Sequence, residues 1–357
     1  MKKILLSGAT SGTNFGDCLF AIMFQNEVAK VVGKENVYWY KNRFSISDYF
    51  KKQLNNFQEY KSIKQIDSLV YISGGYFCGD DRNWKDYLLR YLRYFSVGLK
   101  CILCRIPYII VAVEVGPSKS KIIEFIEKII LRKAKTLIVR NHSSKIYAES
   151  FGCKNVIETA DSVFAMDNAI FEDAELPQPF STKGKKLFLH INPSIEQNRN
   201  IIEKIIPVVN RFIKKHPEYK IILGMDQYYS NQQQVIDYVK QNIEYQALVQ
   251  GGVIYDNPLT LCKVLDNVDV IVTHKLHVGI VGAKLGKSVI SFSGHTEKIQ
   301  RLYDQLGIGN RTYPLKNLTT SKGLEMLEEF HNVNIKVPDN ITNLAKTNFT
   351  YLLDFLK

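Results

Sequence analysis

Residues 268–293 read VDVIVTHKLHVGIVGAKLGKSVISFS, and this stretch indicates the fold class most clearly. A mostly apolar run at 268–273 ends in polar residues, a small-residue segment follows at 278–285, and a second apolar run occupies 288–292. Two buried strands joined by a short helix are typical of a β-α-β unit with parallel strands. We therefore expect residues 274–277 to lie at the carboxyl end of the first strand.

The same alternation of apolar runs and amphipathic segments continues along the rest of the chain. Further strands are predicted at residues 4–6, 37–39, 69–72, 108–113, 137–139, 187–191 and 219–223. Further helices are predicted at residues 19–32, 84–104, 121–132, 200–215, 232–241, 259–264 and 297–306. Strands that alternate with helices predict an α/β protein with parallel, doubly wound sheets.

The length of 357 residues favours two domains. We expect a Rossmann-like domain over residues 1–175, a proline-containing linker over 176–186 and a second Rossmann-like domain over 187–335. Residues 336–357 are predicted to form a helix that packs back on the first domain. Two such domains facing each other resemble the GT-B arrangement, in which ligands bind in the interdomain cleft.

Composition narrows the classes of partner. Hydrophobic residues make up 45% and charged residues 23%, a globular balance that argues against disorder. The net charge of +12 predicts an anionic partner. The basic residues are dispersed and no nucleic-acid-binding signature accompanies them, so we expect no nucleic acid partner. A phosphorylated substrate and an anionic membrane surface remain as candidate partners.

Targeting signals and cysteine spacing indicate the cellular compartment in which the protein resides. The apolar run after Met1 is too short for a signal peptide, and no run of 18 apolar residues could span a bilayer. Six cysteines are scattered at irregular spacing, without a zinc-site or thioredoxin-like pattern. We therefore expect reduced thiols, no metal site and a cytoplasmic protein.

The polar residues after the strand at 268–273 form the sharpest candidate site. Lys275 and His277 share one face if the strand continues, and His274 faces the other way. A cation and an imidazole just before a helix N-terminus suit binding of an anion and donation of a proton. A capping loop with a satisfied histidine is the alternative. Lys298 follows the next strand. A lone lysine there is more often solvated, and the neighbouring His277 is the reason to consider Lys298 a site residue.

Two glycine-containing segments follow strands of the first domain. Residues 8–17 read GATSGTNFGD, which matches neither a P-loop nor a dinucleotide fingerprint. This segment is either a plain turn whose helix is capped by Asp17 or a loop that binds substrate. Gly74 and Gly75 follow the strand at 69–72 and form either a structural turn or a binding loop.

Arg140 directly follows the strand at 137–139. A guanidinium at a strand end suits a carboxylate or a phosphate, because its forked donors match both groups. The alternative is an ordinary surface arginine.

Taken in order, these pieces resemble the polysaccharide pyruvyl transferase family. That family typically carries Gly-Asn-Phe-Gly-Asp, a glycine loop, Val-Arg-Asp with a following serine, Asp-x-x-Phe, and Ser/Thr-x-Arg-Leu-His. The corresponding stretches are Thr13-Asn14-Phe15-Gly16-Asp17, Gly74-Gly75-Tyr76, Val139-Arg140-Asn141 with Ser143, Asp161-Ser162-Val163-Phe164, and Thr273-His274-Lys275-Leu276-His277. The resemblance covers roughly residues 1–310.

The resemblance implies a reaction and a set of roles. Phosphoenolpyruvate would be the donor and co-substrate, and a sugar diol of a surface polysaccharide or its lipid-linked precursor would be the acceptor, giving a cyclic pyruvate ketal without a cofactor or a metal. The implied donor-binding residues are Arg140 in the first domain and Lys275, Leu276, His277 and Lys298 in the second, with Arg140, His277 and Lys298 also counted as catalytic. The implied acceptor or loop residues are Asn14, Phe15, Gly16, Asp17, Gly74 and Gly75.

Three residues depart from the family pattern. Lys275 stands where the family has arginine, Asn141 replaces an aspartate, and Cys18 replaces a second acid after Asp17. The lysine loses the forked geometry of arginine. We expect donor binding that is weaker, shifted to another anion, or rebuilt from a neighbour such as His274.

Two rival functions fit the same architecture. One is a GT-B glycosyltransferase that uses a nucleotide sugar, which predicts nucleotide binding in the second domain. The other is a non-catalytic polysaccharide-assembly protein, against which Arg140, His277 and Lys298 argue.

A basic and aromatic segment at 82–105 suggests peripheral contact with the inner face of an anionic membrane. Among leucines and aromatic residues it carries one acid, Asp86, and six basic residues, Arg82, Lys85, Arg90, Arg93, Lys100 and Arg105. If helical, the segment could bury its leucines and present its basic side chains to lipid headgroups. An ordinary packed helix with solvated arginines is the alternative.

Overall fold

The computed structural model describes residues 2–41, 46–60, 62–78, 83–178, 180, 183–294 and 296–357. The chain divides into two compact units. The first unit takes the chain up to Thr13, then Asp17–Met166 and Asp339–Lys357. The second unit takes Asn14–Gly16 and Asp167–Pro338.

The structure draws the boundary between the units earlier than residue 175. The second unit begins at Asp167, and Lys185 and Lys186, assigned to the linker from sequence, already belong to a strand. The two prolines and the polar residues around them suggested a linker, but apolar residues from 187 onward extend the strand back to Lys185. Pro179, Ser181 and Thr182 of that predicted linker lie outside the described residues.

The first sheet is parallel throughout. Its described strands are β1 (Ile4–Ser7), β2 (Val37–Tyr40), β3 (Glu59–Tyr60), β4 (Ser68–Tyr71), β5 (Gly74–Phe77), β6 (Tyr108–Val115), β7 (Thr136–Val139) and β8 (Val156–Glu158). Their order is β3-β2-β1-β4-β6-β7-β8, and β5 pairs with β6 beside this path. All eight residues of β6 are buried, as expected for a central parallel strand that is covered on both faces.

Gly74 and Gly75 do not form the loop that their sequence suggested. They begin β5, in which Gly74 pairs with Val113 of β6 across an irregular register. A Cβ atom on Gly74 would lie 2.6 Å from the ring of Tyr76, so glycine is required by close packing inside the protein. Gly74 therefore has a structural reason that does not need a ligand.

The described helices of the first part of the chain are α1 (Phe15–Val32), α2 (Asp48–Lys52), α3 (Trp84–Arg90), α4 (Ser96–Leu103), α5 (Lys121–Lys133) and α6 (His142–Ser150). A π-helical turn, Tyr91–Phe95, joins α3 to α4, so the predicted helix at 84–104 is continuous but locally widened. Asn141, which replaces the family's aspartate, still caps α6, because its Oδ1 accepts the Ser144 N–H at 2.9 Å.

The second sheet is also parallel. Its described strands are β9 (Lys185–His190), β10 (Tyr219–Gly224), β11 (Val249–Val253), β12 (Val270–Thr273), β13 (Ser288–Ser293) and β14 (Thr312–Pro314). Their order is β11-β10-β9-β12-β13-β14. This is a doubly wound order, in which successive strands are added on one side of β9 up to β11 and on the other side from β12 onward. The described helices between them are α7 (Ile206–Lys215), α8 (Gln232–Gln241), α9 (Pro258–Asp266), α10 (Leu276–Lys284), α11 (Thr296–Gln305) and α12 (Thr320–Phe330).

The C-terminal helix α13 (Asp339–Leu356) belongs to the first unit. Asn348 is fully buried at its centre, where Nδ2 donates to the Ala160 carbonyl at 2.9 Å and Oδ1 accepts from Thr159 Oγ1 at 2.7 Å. Phe349 packs against Phe24, with ring centroids 5.1 Å apart. A buried amide with both ends satisfied fixes the position of this helix on its unit.

Among the described helices, none is both long and apolar enough to cross a bilayer.

Candidate functional site

The carboxyl edge of the second sheet carries a cluster of titratable side chains at its switch point. β9 and β12 are neighbours there, and the order of strands reverses between them. In open parallel sheets this crevice is where ligands bind. His190 is the last residue of β9, His274 directly follows β12, and Asp226 lies two residues beyond β10.

These three residues and Asn192 form a connected network. His190 Nδ1 lies 3.2 Å from His274 Nδ1, and His274 Nε2 lies 2.8 Å from Asn192 Oδ1. On the other side of the imidazole, His190 Nε2 lies 3.3 Å from Asp226 Oδ1. His190 and Asp226 are buried, while His274 is half-buried.

The hydrogen bonds determine where the protons lie. Asn192 Nδ2 donates to the Gln197 carbonyl at 2.9 Å, so Asn192 Oδ1 must face His274 and accept a hydrogen bond from its Nε2–H. Burial, and then the charges of His190 and Lys275, lower the pKa of His274 well below 6.5, so this imidazole is neutral and its Nδ1 is an acceptor. His190 Nδ1 therefore donates to it.

The second nitrogen of His190 faces a carboxylate. Burial acts to raise the pKa of Asp226, but the charge and hydrogen bond of His190 outweigh it and lower that pKa to about 2. Lys275 acts in the same direction. The ionised Asp226 therefore lies 3.3 Å from His190 Nε2 in a buried histidine–carboxylate pair.

The segment Asn14–Gly16 docks onto the same edge. Asn14 forms an antiparallel bridge with Gln227, and the Phe15 N–H donates to the Asp226 carbonyl at 2.8 Å. Asn14 Oδ1 accepts the Gly16 N–H at 3.0 Å, which closes a tight turn. The asparagine and phenylalanine of the predicted loop thus hold this segment to the second unit.

Gly16 lies directly against His277. A Cβ atom at position 16 would lie 2.1 Å from His277 Nδ1, so no side chain fits there while the imidazole keeps its position. Two motifs that are far apart in sequence therefore meet in one place. Asp17, in contrast, belongs to the first unit, where its charge helps to raise the pKa values of the buried Tyr76 and Tyr94 after burial itself.

Lys275 and His277 flank the start of α10. Lys275 is the residue before the helix, and its N–H donates to Thr273 Oγ1 at 3.0 Å. Leu276 opens α10, and His277 follows in the first turn. Lys275 and His277 are half-buried, so a helix N-terminus, an ammonium and an imidazole lie together at the sheet edge. Such an arrangement can bind an anion and supply a proton.

Lys298 lies one strand further along the same sheet. It falls in the first turn of α11, which follows β13, and it is half-buried. Since β13 pairs with β12, Lys298 and His277 both follow adjacent strands of the second sheet. A role in balancing phosphate charge stays a prediction.

Arg140 is neither a surface arginine nor an open strand-end cation. Its side chain is 3% exposed, with one nitrogen 2.5 Å from Glu114 Oε2 and another 2.9 Å from Asp161 Oδ2. Burial disfavours the charged form, but the two carboxylates outweigh it and raise the pKa of Arg140. Asp161 also caps a short helical turn by accepting the Val163 N–H at 3.1 Å. In this structure Arg140 and the Asp-x-x-Phe motif hold the first unit together.

Cys18 replaces an acid of the family pattern without replacing its chemistry. Its thiol is 1% exposed, and burial, helped by the charge of Asp17, raises its pKa well above the usual range. A neutral, buried thiol packs as a small apolar side chain.

The segment at 82–105 presents only part of its basic side chains as the membrane hypothesis required. Arg90 is buried, with one guanidinium nitrogen donating to Ser118 Oγ at 2.7 Å and the group lying 5.6 Å from the Phe95 ring centre. Arg93 is half-buried, and Arg82 lies outside the described residues. Lys85, Lys100 and Arg105 are exposed. The exposed large apolar side chains of the segment are Trp84, Leu88 and Leu103, at 65%, 45% and 82%.

Sequence reasoning missed His190, Asn192 and Asp226. Asn192 and Asp226 follow apolar strands, whereas His190 is the last residue of β9 and lies inside the strand predicted at 187–191. Examining the polar residues at and after the end of every predicted strand of the second domain, and not the strand at 268–273 alone, could have found them.

Several solved structures share the fold of this chain. The putative UDP-N-acetylglucosamine 2-epimerase from Listeria monocytogenes aligns with a TM-score of 0.63 and 10% identity, over 99% of this chain and 95% of that one. The UDP-GlcNAc 2-epimerase from Methanocaldococcus jannaschii gives 0.62 and 13%, over 99% and 100%. The enzyme of that name from Neisseria meningitidis, bound to UDP-GlcNAc, gives 0.61 and 13%, over 99% and 100%.

Identities this low establish the fold alone. The prediction of an α/β protein with two Rossmann-like, parallel-sheet domains of the GT-B class is confirmed. No curated protein matches the chain in sequence. The family profile described as "Polysaccharide pyruvyl transferase" matches residues 14–296, which is more than half of the chain and includes both Gly16 and His277.

Proposed function

Because the chain belongs to the polysaccharide pyruvyl transferase family, we propose that it transfers a pyruvyl group from phosphoenolpyruvate to a sugar diol. The product is a cyclic ketal on a surface polysaccharide or its lipid-linked precursor. We assign donor binding to the second unit and acceptor binding to the first. The reaction uses phosphoenolpyruvate as co-substrate, with no cofactor.

One observation carries this proposal. Gly16 of the first family motif lies against the imidazole of His277 in the last motif, at the switch point of the second sheet. A turn held only for folding has no need to approach a half-buried histidine beside a lysine and a helix N-terminus. The contact supports a shared role for the two motifs in one site.

The chemistry requires an acid and a cation. His277 donates a proton to C3 of the enol, and an acceptor hydroxyl adds to C2 as it loses its own proton. Phosphate then leaves with its bonding electrons, and the second hydroxyl adds to C2 and gives up its proton to the phosphate, which closes the ketal. Lys275 and the N-terminus of α10 hold the anionic donor and stabilise the phosphate as charge builds on it.

The histidine network supports this assignment through charge. His274 is neutral, and the carboxylate of Asp226 is buried against His190. Lys275 is the half-buried ammonium at this edge of the second sheet. His274 has both ring nitrogens engaged, so we assign it to positioning of the loop and not to direct contact with the donor.

A transfer assay tests the function. Phosphoenolpyruvate with a lipid-linked or oligosaccharide acceptor should release inorganic phosphate and add one pyruvate ketal to the acceptor by mass spectrometry. Omission of the acceptor is the control for simple hydrolysis. Glycosyl transfer from a nucleotide sugar, with phosphoenolpyruvate inert, would instead support the rival glycosyltransferase.

A lipid-linked acceptor would bring the protein to the cytoplasmic face of a membrane. We assign that peripheral contact to the exposed Trp84 and Leu88 and no longer to Arg90. Flotation with anionic vesicles should fall for Trp84→Glu with Leu88→Glu. Leu103→Glu, at the exposed far end of the same helical stretch, is the matched control. Equal flotation of all three proteins would exclude this surface.

A further inference from the structure

A second cluster of titratable groups lies at the opposite, amino edge of the second sheet. His216 ends α7 just before β10, Glu328 lies in the last turn of α12, and His331 follows that helix. One ligand atom from each of the three lies within 4.8 Å of the others, and the two imidazole centres are 4.6 Å apart. The sequence shows no metal-site spacing here, because the ligands come from two separate elements.

Two of the three side chains already share a proton. His216 Nε2 lies 3.0 Å from Glu328 Oε2. The far atoms of both groups face charged side chains: Glu328 Oε1 lies 3.1 Å from Lys215 Nζ in an ion pair, and His216 Nδ1 lies 3.6 Å from Glu218 Oε1, beyond hydrogen-bond distance. Neighbouring charges therefore lie on the sides of the imidazole and the carboxylate that face away from the cluster.

The third side chain presents a lone pair. Asn332 Oδ1 accepts from Lys185 Nζ at 3.2 Å, so its Nδ2 faces His331 Nε2 at 3.2 Å and makes that nitrogen an acceptor. His331 Nδ1 then donates to the Tyr219 hydroxyl at 3.1 Å.

We propose that His216, Glu328 and His331 form a binding site for a divalent transition metal of the Zn²⁺ class. Two imidazoles and one carboxylate suit Zn²⁺, whereas Mg²⁺ and Ca²⁺ prefer an all-oxygen set. Outer partners on all three ligands are the usual support of such sites, because they fix the ring orientation and the tautomer.

Metal binding would displace a proton and close the cluster. The ion takes the place of the proton between His216 Nε2 and Glu328 Oε2, and that proton goes to solvent. Ligand atoms of a tetrahedral zinc site are about 3.3 Å apart, so His331 must approach the other two by a side-chain rotation. Its Nε2 exchanges the Asn332 amide for the metal, and water completes the coordination.

The site would fasten the end of α12 to the turn between α7 and β10. Lys215 keeps its contact with Glu328, and its positive charge repels the metal ion. We therefore expect a metal that stabilises an already folded unit and not one that folding requires. This inference is independent of the proposed transfer reaction, and its test does not use activity.

Cobalt spectroscopy on the full-length, tag-free protein after chelator treatment tests the site. We expect one Co²⁺ per chain with visible d–d absorption, which Zn²⁺ abolishes by displacement. Glu328→Gln and His331→Ala should each weaken binding tenfold or more, and Tyr219→Phe about tenfold, as for lost outer partners of zinc ligands. His142→Ala is the matched control, because His142 Nδ1 lies 2.9 Å from Glu158 in an exposed pair that lacks a third ligand.

Three outcomes would overturn the proposal. These are absence of d–d absorption, an unchanged spectrum in both Glu328→Gln and His331→Ala, and a sulfur-to-cobalt charge-transfer band, which would place the ion on a cysteine. Glu328→Gln keeps the hydrogen bond from His216, so loss of binding in that folded variant supports the site even if His331→Ala unfolds. Circular dichroism of each variant verifies the fold.

Discussion

The carboxyl edges of the two parallel sheets use charge in opposite ways. At the first edge, Arg140 is enclosed between Glu114 and Asp161 and is almost fully buried. At the second edge, the buried pair of His190 and Asp226 supports Lys275, which remains half-buried. Both clusters follow apolar strands, so position at a strand end does not separate a structural cation from one available to a ligand.

The exposure of the two cations makes the difference sharper. The Arg140 side chain is enclosed by two carboxylates and is 3% exposed, whereas Lys275 is half-buried directly before α10. An anionic donor therefore finds an accessible ammonium beside a helix N-terminus at the second edge, which is the central claim for donor binding.

Removing Arg140 gives the largest expected effect, and that effect is on stability. Arg140→Ala leaves two buried carboxylates without their cation, which should cost about 3–5 kcal/mol of unfolding free energy in the first unit. Thermal denaturation and hydrogen exchange in β6 and β7 measure it. A folded Arg140→Ala protein with normal stability and strongly weakened donor affinity would instead make Arg140 a ligand of the donor.

Removing His277 should affect turnover and leave the fold intact. We expect His277→Ala to lower the rate of phosphate release by about 10²-fold or more, the usual scale for a lost general acid. His142→Ala, an exposed histidine of the first unit, is the control. Unchanged turnover in folded His277→Ala protein would reduce His277 to a structural residue.

Gly16→Ala tests the contact between the two motifs. The added methyl group meets the His277 ring, so either the imidazole or the segment Asn14–Gly16 must shift. A misplaced catalytic group of this kind should lower kcat about tenfold or more. Gly294→Ala is the matched control, since a Cβ there meets no described atom within 4 Å. Equal kcat in the two variants would show that the close approach has no catalytic consequence.

Acidification should weaken the second unit through His274. Its folded pKa lies below the unfolded value of 6.5, so the unfolded chain takes up the proton first as pH falls. The stabilisation is complete above pH 6.5 and declines below it, by up to about 1.4 kcal/mol per pH unit. Hydrogen exchange of β9 and β12 amides at several pH values measures this slope. His274→Gln should flatten it, and an unchanged slope in that variant would assign the titration elsewhere.

The strands and helices could be predicted from sequence because buried parallel strands read as short apolar runs. β5 was missed, since Gly74 and Gly75 suggest a turn, and the need for glycine at position 74 arises from the Tyr76 ring. The burial of Arg140 was missed because its two acids come from different elements, Glu114 in β6 and Asp161 after β8.

The site itself was predicted in part. Lys275 and His277 stand out from sequence because the polar residues interrupt a strongly apolar stretch. The docking of Asn14–Gly16 onto Asp226 and His277 depends on tertiary packing between distant parts of the chain, which periodicity does not encode. The proton positions in the histidine network depend on the Asn192 amide, which only the hydrogen bonds reveal.

Calorimetric titration with phosphoenolpyruvate tests the central claim most directly. The account predicts one site per chain, with affinity at least about tenfold weaker in Lys275→Ala, as for a lost hydrogen bond to a charged group. Lys275→Arg should keep or improve the affinity, and Lys284→Ala, at the other end of α10, should leave it unchanged. Equal affinity in wild type and folded Lys275→Ala, or no heat with phosphoenolpyruvate at all, would contradict donor binding at this edge of the second sheet.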